Sequence, residues 1–240
     1  MFLAVSERGA VPDIGAVIGV PVSVDVSVYA DTSASKESVS RLFVDEIQCG
    51  MGRSGKLFAF EYADIIPDVL LVSKAIGGSQ PLSIVVYNKK LDVWQPGAHA
   101  GTFRGNQLAM KAGTVVLKRV SEPEFLADVV RKGELILSRL NSLKSRVSII
   151  GDVRGKGLMV GTEFVNPRGT KDSLGALPCS GEIAARVQQL CFENKLVVEK
   201  GGRNGSVMRC LCALNITDDD LNAALDIFEK AVLSVDAEYR

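Results

Sequence analysis

The stretch P67-D-V-L-L-V-S-K-A-I-G-G78 reads as a short buried strand, Val69–Val72, that runs straight into Ser73 and Lys74 and then into two glycines. Upstream, Leu42-Phe43-Val44 runs in the same way into Asp45 and Glu46, and Leu82–Tyr87 is a third apolar run. Twice, therefore, polar side chains stand at the end of an apolar strand. An α/β sheet opens onto a ligand in this manner, so the sequence predicts an α/β fold with its candidate site at the strand ends. Gly50-Met51-Gly52-Arg53-Ser54-Gly55 follows the first strand and Gly77-Gly78 the second. Small residues beside Lys74 let a bulky planar ligand approach the backbone.

Working outward, residues 1–40 are rich in Val, Gly, Ser and Ala, and Ile14–Val20 and Val22–Val28 have the composition of strands. Gln107–Val120 reads as a helix with Leu108, Ala112, Val115, Val116 and Val120 as its apolar stripe, and Pro123 opens a second that reaches about Leu143. A domain boundary is expected between them, giving 1–120 as a partial large domain and 121–240 as a small C-terminal α+β domain. In the second part the pattern predicts a strand over Leu158–Phe164, a Gly/Pro-rich loop over 166–181 and a helix over 181–194. Short strands near 196–199 and 206–211 and a last helix from Asp218 to about Val235 complete it. Three acids, Asp218–Asp220, suit the positive end of that helix dipole.

Composition excludes several classes. The 240 residues are 47% hydrophobic, enough for a buried core, and 28 Lys and Arg balance 28 Asp and Glu without a block of one sign. Such a chain has no electrostatic footprint for nucleic acid or an anionic membrane. Five cysteines without a C-x-x-C pair, and one histidine, His99, argue against a metal site. An odd count of thiols points to a reducing compartment, so a cytoplasmic location is expected. The opening apolar run, Met1–Val5, is too short for a signal peptide or membrane span.

Lys74 and Asp45 carry the chemistry. A lysine at a strand end can be partly desolvated, with a lowered pKa suited to Schiff-base formation. A carboxylate in the corresponding place is costly unless it meets a positive partner, and a protonated pyridine nitrogen is one. Pyridoxal phosphate needs these two groups: a lysine for its aldehyde and a carboxylate that keeps its ring nitrogen protonated. The competing reading is a helix-capping Asp45 and a surface Lys74.

Three ordered motifs separate these readings. V44-D-E-I-Q-C-G-M-G-R-S-G55, P67-D-V-L-L-V-S-K-A-I-G-G78 and G101-T-F-R-G-N106 closely resemble class-III pyridoxal-phosphate aminotransferases. The resemblance runs well from about residue 41 to 120. It continues more loosely to 220 through R154-G-K-G-L-M-V-G161 and G205-S-V-M-R-C-L-C-A-L-N-I-T217. Within the class, L91-D-V-W-Q-P-G-A-H-A-G-T-F-R-G-N-Q-L-A-M110 looks most like diaminobutyrate–2-oxoglutarate aminotransferases. What the resemblance implies is a fold-type-I enzyme with a mainly parallel sheet in its large domain. It would move the terminal amino group of L-2,4-diaminobutyrate to or from 2-oxoglutarate or glutamate. The alternatives are another class-III amine or ornithine-type aminotransferase, or a non-catalytic remnant.

Carried over by motif, the resemblance implies that Lys74 is the Schiff-base lysine, that Asp45 pairs with the pyridine nitrogen, and that Gln48 approaches the ring's phenolic oxygen. The resemblance makes Thr102 a ligand of the cofactor phosphate across a homodimer interface, and Arg209 and Arg104 candidate contacts for substrate. Each has a bland competitor: an ordinary loop residue for Gln48, a helix cap for Thr102, a surface charge for Arg104, a strand-edge arginine for Arg209. An arginine's planar fork suits an α-carboxylate. Around Arg209 the sequence departs from its family, with Cys212 and Ala213 where two prolines are usual and Asn215 at a customarily apolar position. His99 reads as a loop residue beside the site and Trp94 as packing; Cys210 and Cys212 read as strand alternation. The family's N-terminal phosphate-binding loop and ring-stacking aromatic are not legible before residue 41, so the chain is expected to be a C-terminal portion with a diverged start.

Overall fold

The computed structural model describes residues 14–19, by their backbone, and 41–239. The expected strand at Val22–Val28 lies outside the described residues. By contact the chain divides into two compact units, Met1–Leu126 and Ala127–Arg240.

Among the described residues the first unit holds one sheet of four strands: β1 (Ile14–Gly19), β2 (Phe43–Asp45), β3 (Val69–Val72) and β4 (Ser83–Asn88), in the order β1-β4-β3-β2. β3 is inside the sheet and three of its four residues are buried, Val69, Leu70 and Val72, which explains its unbroken apolar run. Phe43, Leu71, Val85 and Leu91 pack around Val69 and Tyr87. The mainly parallel sheet expected from the sequence holds only between β2 and β3; β4 runs antiparallel to both β3 and β1. The link from β3 to β4, residues 73–82, is too short for the crossover helix that a parallel neighbour requires.

Helix α1 (Gln107–Val120) starts where the Asn106 side chain accepts from the Leu108 and Ala109 amides. Its buried face meets the expected stripe at Val120, with Ala112 and Val116 half-buried, but Ala109 and Gly113 are buried instead of Leu108 and Val115, which are exposed. The reason is closeness. A Cβ on Gly113 would stand 2.7 Å from Leu82 Cδ2 and 3.0 Å from the Ile76 carbonyl oxygen, so this point of the face admits only glycine.

The second unit is an antiparallel sheet, β5 (Ile150–Lys156), β6 (Met159–Phe164), β7 (Glu199–Gly201) and β8 (Val207–Cys210), in the order β5-β6-β8-β7. Its helices are α2 (Pro123–Lys144), which begins just before the boundary, α3 (Gly181–Glu193) and α4 (Asp218–Tyr239). Val129, Ile136, Leu140 and Leu143 of α2, Val187 of α3, and Phe228, Val232 and Val235 of α4 are all buried. Gly133 passes so close to the β5–β6 turn that a Cβ there would lie 2.3 Å from the Gly157 carbonyl oxygen. Charged side chains rim this core: Arg139 bridges to Asp226 and Glu229, and the buried Asp236 accepts from the Ser148 amide at 2.6 Å. Among the described residues no helix is long and apolar enough to cross a membrane, and no group of three or more His, Cys, Asp or Glu is placed to hold a metal ion.

Candidate active site

Because β2 and β3 are parallel, their carboxyl ends lie on one edge of the sheet. Asp45, the last residue of β2, is in register with Leu71, and Lys74 stands three residues beyond Leu71. Neighbouring strands lie about 4.8 Å apart, so the two groups share the edge on which an α/β sheet offers its ligand site. Asp45 is half-buried, and its Oδ1 accepts from the Ile47 amide at 2.8 Å. The carboxylate is thus part of a tight turn, and no helix begins there for it to cap. Gln48, half-buried, is in the same turn.

Lys74 departs from expectation in exposure. Its side chain is exposed rather than partly desolvated, because the strand ends at Val72 and the lysine stands beyond the buried Ser73. Its backbone is also unusual, with φ at +52°. A residue with a Cβ held in this left-handed region costs of order 1–3 kcal/mol, and such strain persists only where the surroundings enforce it. Here they do. Ser73 Oγ donates to the Leu82 carbonyl at 3.1 Å, and a 3-10 turn over Lys74–Gly77 closes on Gly78, whose φ is +63°. Ile76 and Leu82 then wedge against Gly113 of α1.

One residue of this edge has a part that the sequence did not signal. Glu46 is 1% exposed, and its two oxygens accept from the amides of Ala59 (3.0 Å) and Phe60 (2.8 Å). It ties the end of β2 to a turn thirteen residues on in the chain. Gly50 lies against it, where a Cβ would come within 2.7 Å of the Glu46 carbonyl oxygen. Cys49, in this turn, has its thiol pushed up to about 12 by burial and then by Glu46. It stays protonated and is no nucleophile at neutral pH.

The segment between β4 and α1 holds Thr102 and Arg104. Thr102 is exposed in a turn over 102–105, and since Asn106 caps α1, the capping alternative for Thr102 falls away. Arg104 is no loose surface charge: its Nη2 lies 2.8 Å from Nδ1 of His99. The His99 ring stacks on Trp94, with centroids 5.0 Å apart and planes 19° apart, so the packing expected of Trp94 is a ring stack within the loop. Tyr87 Oη donates to Asp92 Oδ1 at 3.1 Å and anchors the start of the loop to β4.

Arg209 belongs to the second unit. It sits on β8, an interior strand and not a sheet edge, directly across from its register partner Glu199, whose Oε1 is 2.5 Å from Arg209 Nη2. Gly201 lies beside the guanidinium, and a Cβ there would be 3.1 Å from Nη2. The pair stands at a largely apolar hollow of about 290 Å³ that Val197, Cys210, Ile216 and Phe228 help to line. Cys212 lies beyond the end of β8, so the alternation expected of Cys210 and Cys212 stops at the first. All five cysteines are free thiols.

Comparison with known proteins places this arrangement in a family. A model of the class-III aminotransferases matches residues 29–232. The diaminobutyrate–2-oxoglutarate aminotransferase of Haemophilus influenzae is 42% identical over 224 residues, which are 93% of this chain and 49% of the relative. The Rhizobium meliloti protein of that name is 46% identical over 181 residues, 75% of this chain and 38% of the relative. The chain thus spans about half the length, or less, of the curated relatives it matches. Among solved structures, acetylornithine aminotransferase from Elizabethkingia anophelis superposes with a TM-score of 0.68 at 31% identity, over 81% of this chain and 46% of that one. The two strand ends that carry Asp45 and Lys74 therefore belong to a partial fold-type-I architecture, and the chain is a member of the class-III aminotransferase family.

Proposed function

We propose that this chain carries the cofactor-lysine half of a pyridoxal-phosphate aminotransferase that moves the terminal amino group of L-2,4-diaminobutyrate to 2-oxoglutarate. The observation that carries the reading is the shared sheet edge of Asp45 and Lys74. The donor set fits the cofactor: a carboxylate ending one strand, a primary amine two residues past the end of its parallel neighbour, and a backbone strained at the amine. The choice of substrate rests on the names of relatives at 42 and 46% identity.

When bound, pyridoxal phosphate supplies an electron sink for the carbon that carries the amine. Lys74 would hold the cofactor through its Nζ and, once freed from it, would carry the proton taken from the substrate carbon. Asp45, kept in place by its bond from Ile47, would face the ring nitrogen and favour its protonated form. Gln48 would approach the ring's phenolic oxygen, and Thr102 would bind the phosphate of the neighbouring site in a homodimer. Arg209 would take the substrate α-carboxylate through its planar fork, in competition with Glu199. Free thiols suit the cytoplasm as the place of action.

The test is an assay of the purified chain with added pyridoxal phosphate, in which glutamate formation from 2-oxoglutarate is followed with diaminobutyrate or acetylornithine as donor. Turnover with diaminobutyrate at least about tenfold above that with acetylornithine, a difference of about 1.4 kcal/mol, supports the reading. The reverse preference overturns the substrate. A protein that binds no cofactor and turns over neither donor favours the non-catalytic alternative.

A further inference from the structure

The loop between β4 and α1 contains Gly97, Gly101 and Gly105, and two of these have positive φ, +77° and +69°. So many glycines cost a loop conformational entropy on ordering, yet this one has a defined shape. Three side chains tie it. The His99 ring stacks on Trp94. Arg104 reaches back over Gly101, where a Cβ would be 2.9 Å from its Nε and 3.2 Å from its Cδ, and donates to His99 Nδ1. Trp94 in turn lies just past Asp92, which Tyr87 of β4 anchors.

We propose that Trp94, His99 and Arg104 form a clasp that holds residues 97–105 in shape, with Thr102 among them, and that the clasp opens when the His99 ring takes up a proton. The consequence for Thr102 rests on the functional reading above; the clasp does not. Guanidinium has five donors and no acceptor, so the 2.8 Å contact requires a lone pair on Nδ1. The imidazolium has none, and it would face a fixed cation. These three are positioning residues.

The surrounding charges agree. Arg104 is the charged group against the ring, and on the Trp94 side stand Asp92 and Tyr87, which are hydrogen-bonded to each other. Burial and then the charge of Arg104 hold the His99 pKa below its ordinary 6.5. The folded state therefore prefers the neutral ring. The clasp is complete above pH 6.5, and its contribution is lost as the pH falls from there through the lowered value.

The chain has one tryptophan and one histidine, so both partners report without labelling. Trp94 emission and the His99 imidazole proton resonances are followed from about pH 8 to pH 5, a range that brackets the ordinary histidine pKa. One transition is expected in each, with a common midpoint below 6.5. Arg104→Ala should move that midpoint upward, and His99→Phe, which keeps a ring on Trp94, should abolish the emission change. Trp94 emission that stays flat while His99 titrates, or a midpoint that Arg104→Ala leaves in place, overturns the clasp. Neither readout needs cofactor. A clasp that titrates as expected, beside a Thr102→Ala variant with unaltered affinity for pyridoxal phosphate, sinks only the role given to Thr102.

Discussion

Two neighbouring carboxylates on one strand end have opposite fates. Glu46 is buried and both of its oxygens take backbone donors, whereas Asp45, one residue earlier, is half-buried and spends one oxygen on the Ile47 amide. The same contrast separates the two sheets. In the second unit Arg139, Arg131 and Arg209 are all matched by acids. At the edge of the first sheet neither Asp45 nor Lys74 enters a salt bridge among the described residues, and Lys74 is held at φ +52° by the turn around it. A fold pairs its charges where stability is the only demand. Asp45 and Lys74 are left without ion-pair partners where a ligand would complete the set.

The first way to break this contrast is to remove the amine. Lys74→Ala should lower turnover by about four orders of magnitude or more, since nucleophile and proton carrier are lost together. Borohydride should then fix no cofactor to the protein. A variant that still forms a reducible bond puts the anchor on another lysine and ends the argument from the strand edge. The second is Asp45→Asn, which keeps an oxygen for the Ile47 amide and removes only the charge. Turnover should fall by about 10²–10³, or about 3–4 kcal/mol, the scale of one oriented electrostatic partner. The denaturation midpoint should hardly move. Unchanged turnover removes Asp45 from the mechanism.

Much of this edge could be read from sequence, because a buried strand that meets polar residues leaves an apolar run with a sharp end, as at Val72-Ser73-Lys74. The direction of β4 could not, since an apolar run has no polarity; only the brevity of the link over 73–82 decides it. β5 escaped for the opposite reason. It is an edge strand whose burial reaches only Ile150 and Val153, and its sequence, Ile-Gly-Asp-Val-Arg-Gly-Lys, offers no run. β7 was expected at 196–199, but Val197 is 81% exposed and the pairing begins at Glu199, fixed by its partner Arg209. Glu46 needed a contact thirteen residues away, and the Trp94–His99 stack needed the path of an irregular loop. Neither has a local pattern.

Glu46→Gln sharpens the comparison from the satisfied side. The glutamine amide group must face either the Ala59 or the Phe60 amide, donor against donor, so one buried bond is lost whichever way it turns. Stability should drop by about 1–3 kcal/mol, the cost of an unmet buried donor. Chemical denaturation measures it, and the effect should exceed that of Asp45→Asn on the same scale. Equal losses from the two variants would mean that the two carboxylates are not divided between structure and function in this way.

The smallest effect is also the most specific, because it concerns the backbone of Lys74 alone. At φ +52° a Cβ is strained, and glycine is the residue that relieves it. Lys74→Gly and Lys74→Ala remove the same amine, so both should abolish cofactor attachment. They should differ in stability: the alanine keeps the strained Cβ, and the glycine loses it. Against this runs the larger entropy that glycine gains in the unfolded chain, roughly 0.5–1 kcal/mol. Strain of order 1–3 kcal/mol outweighs that term, so Lys74→Gly should be more stable than Lys74→Ala by about 1 kcal/mol, read as a higher midpoint in denaturant at unchanged slope. An alanine variant as stable as the glycine variant would mean that the turn relaxes once the long side chain is gone. The strain would then belong to the lysine and not to the path that Ser73, Leu82 and Gly113 impose on the chain.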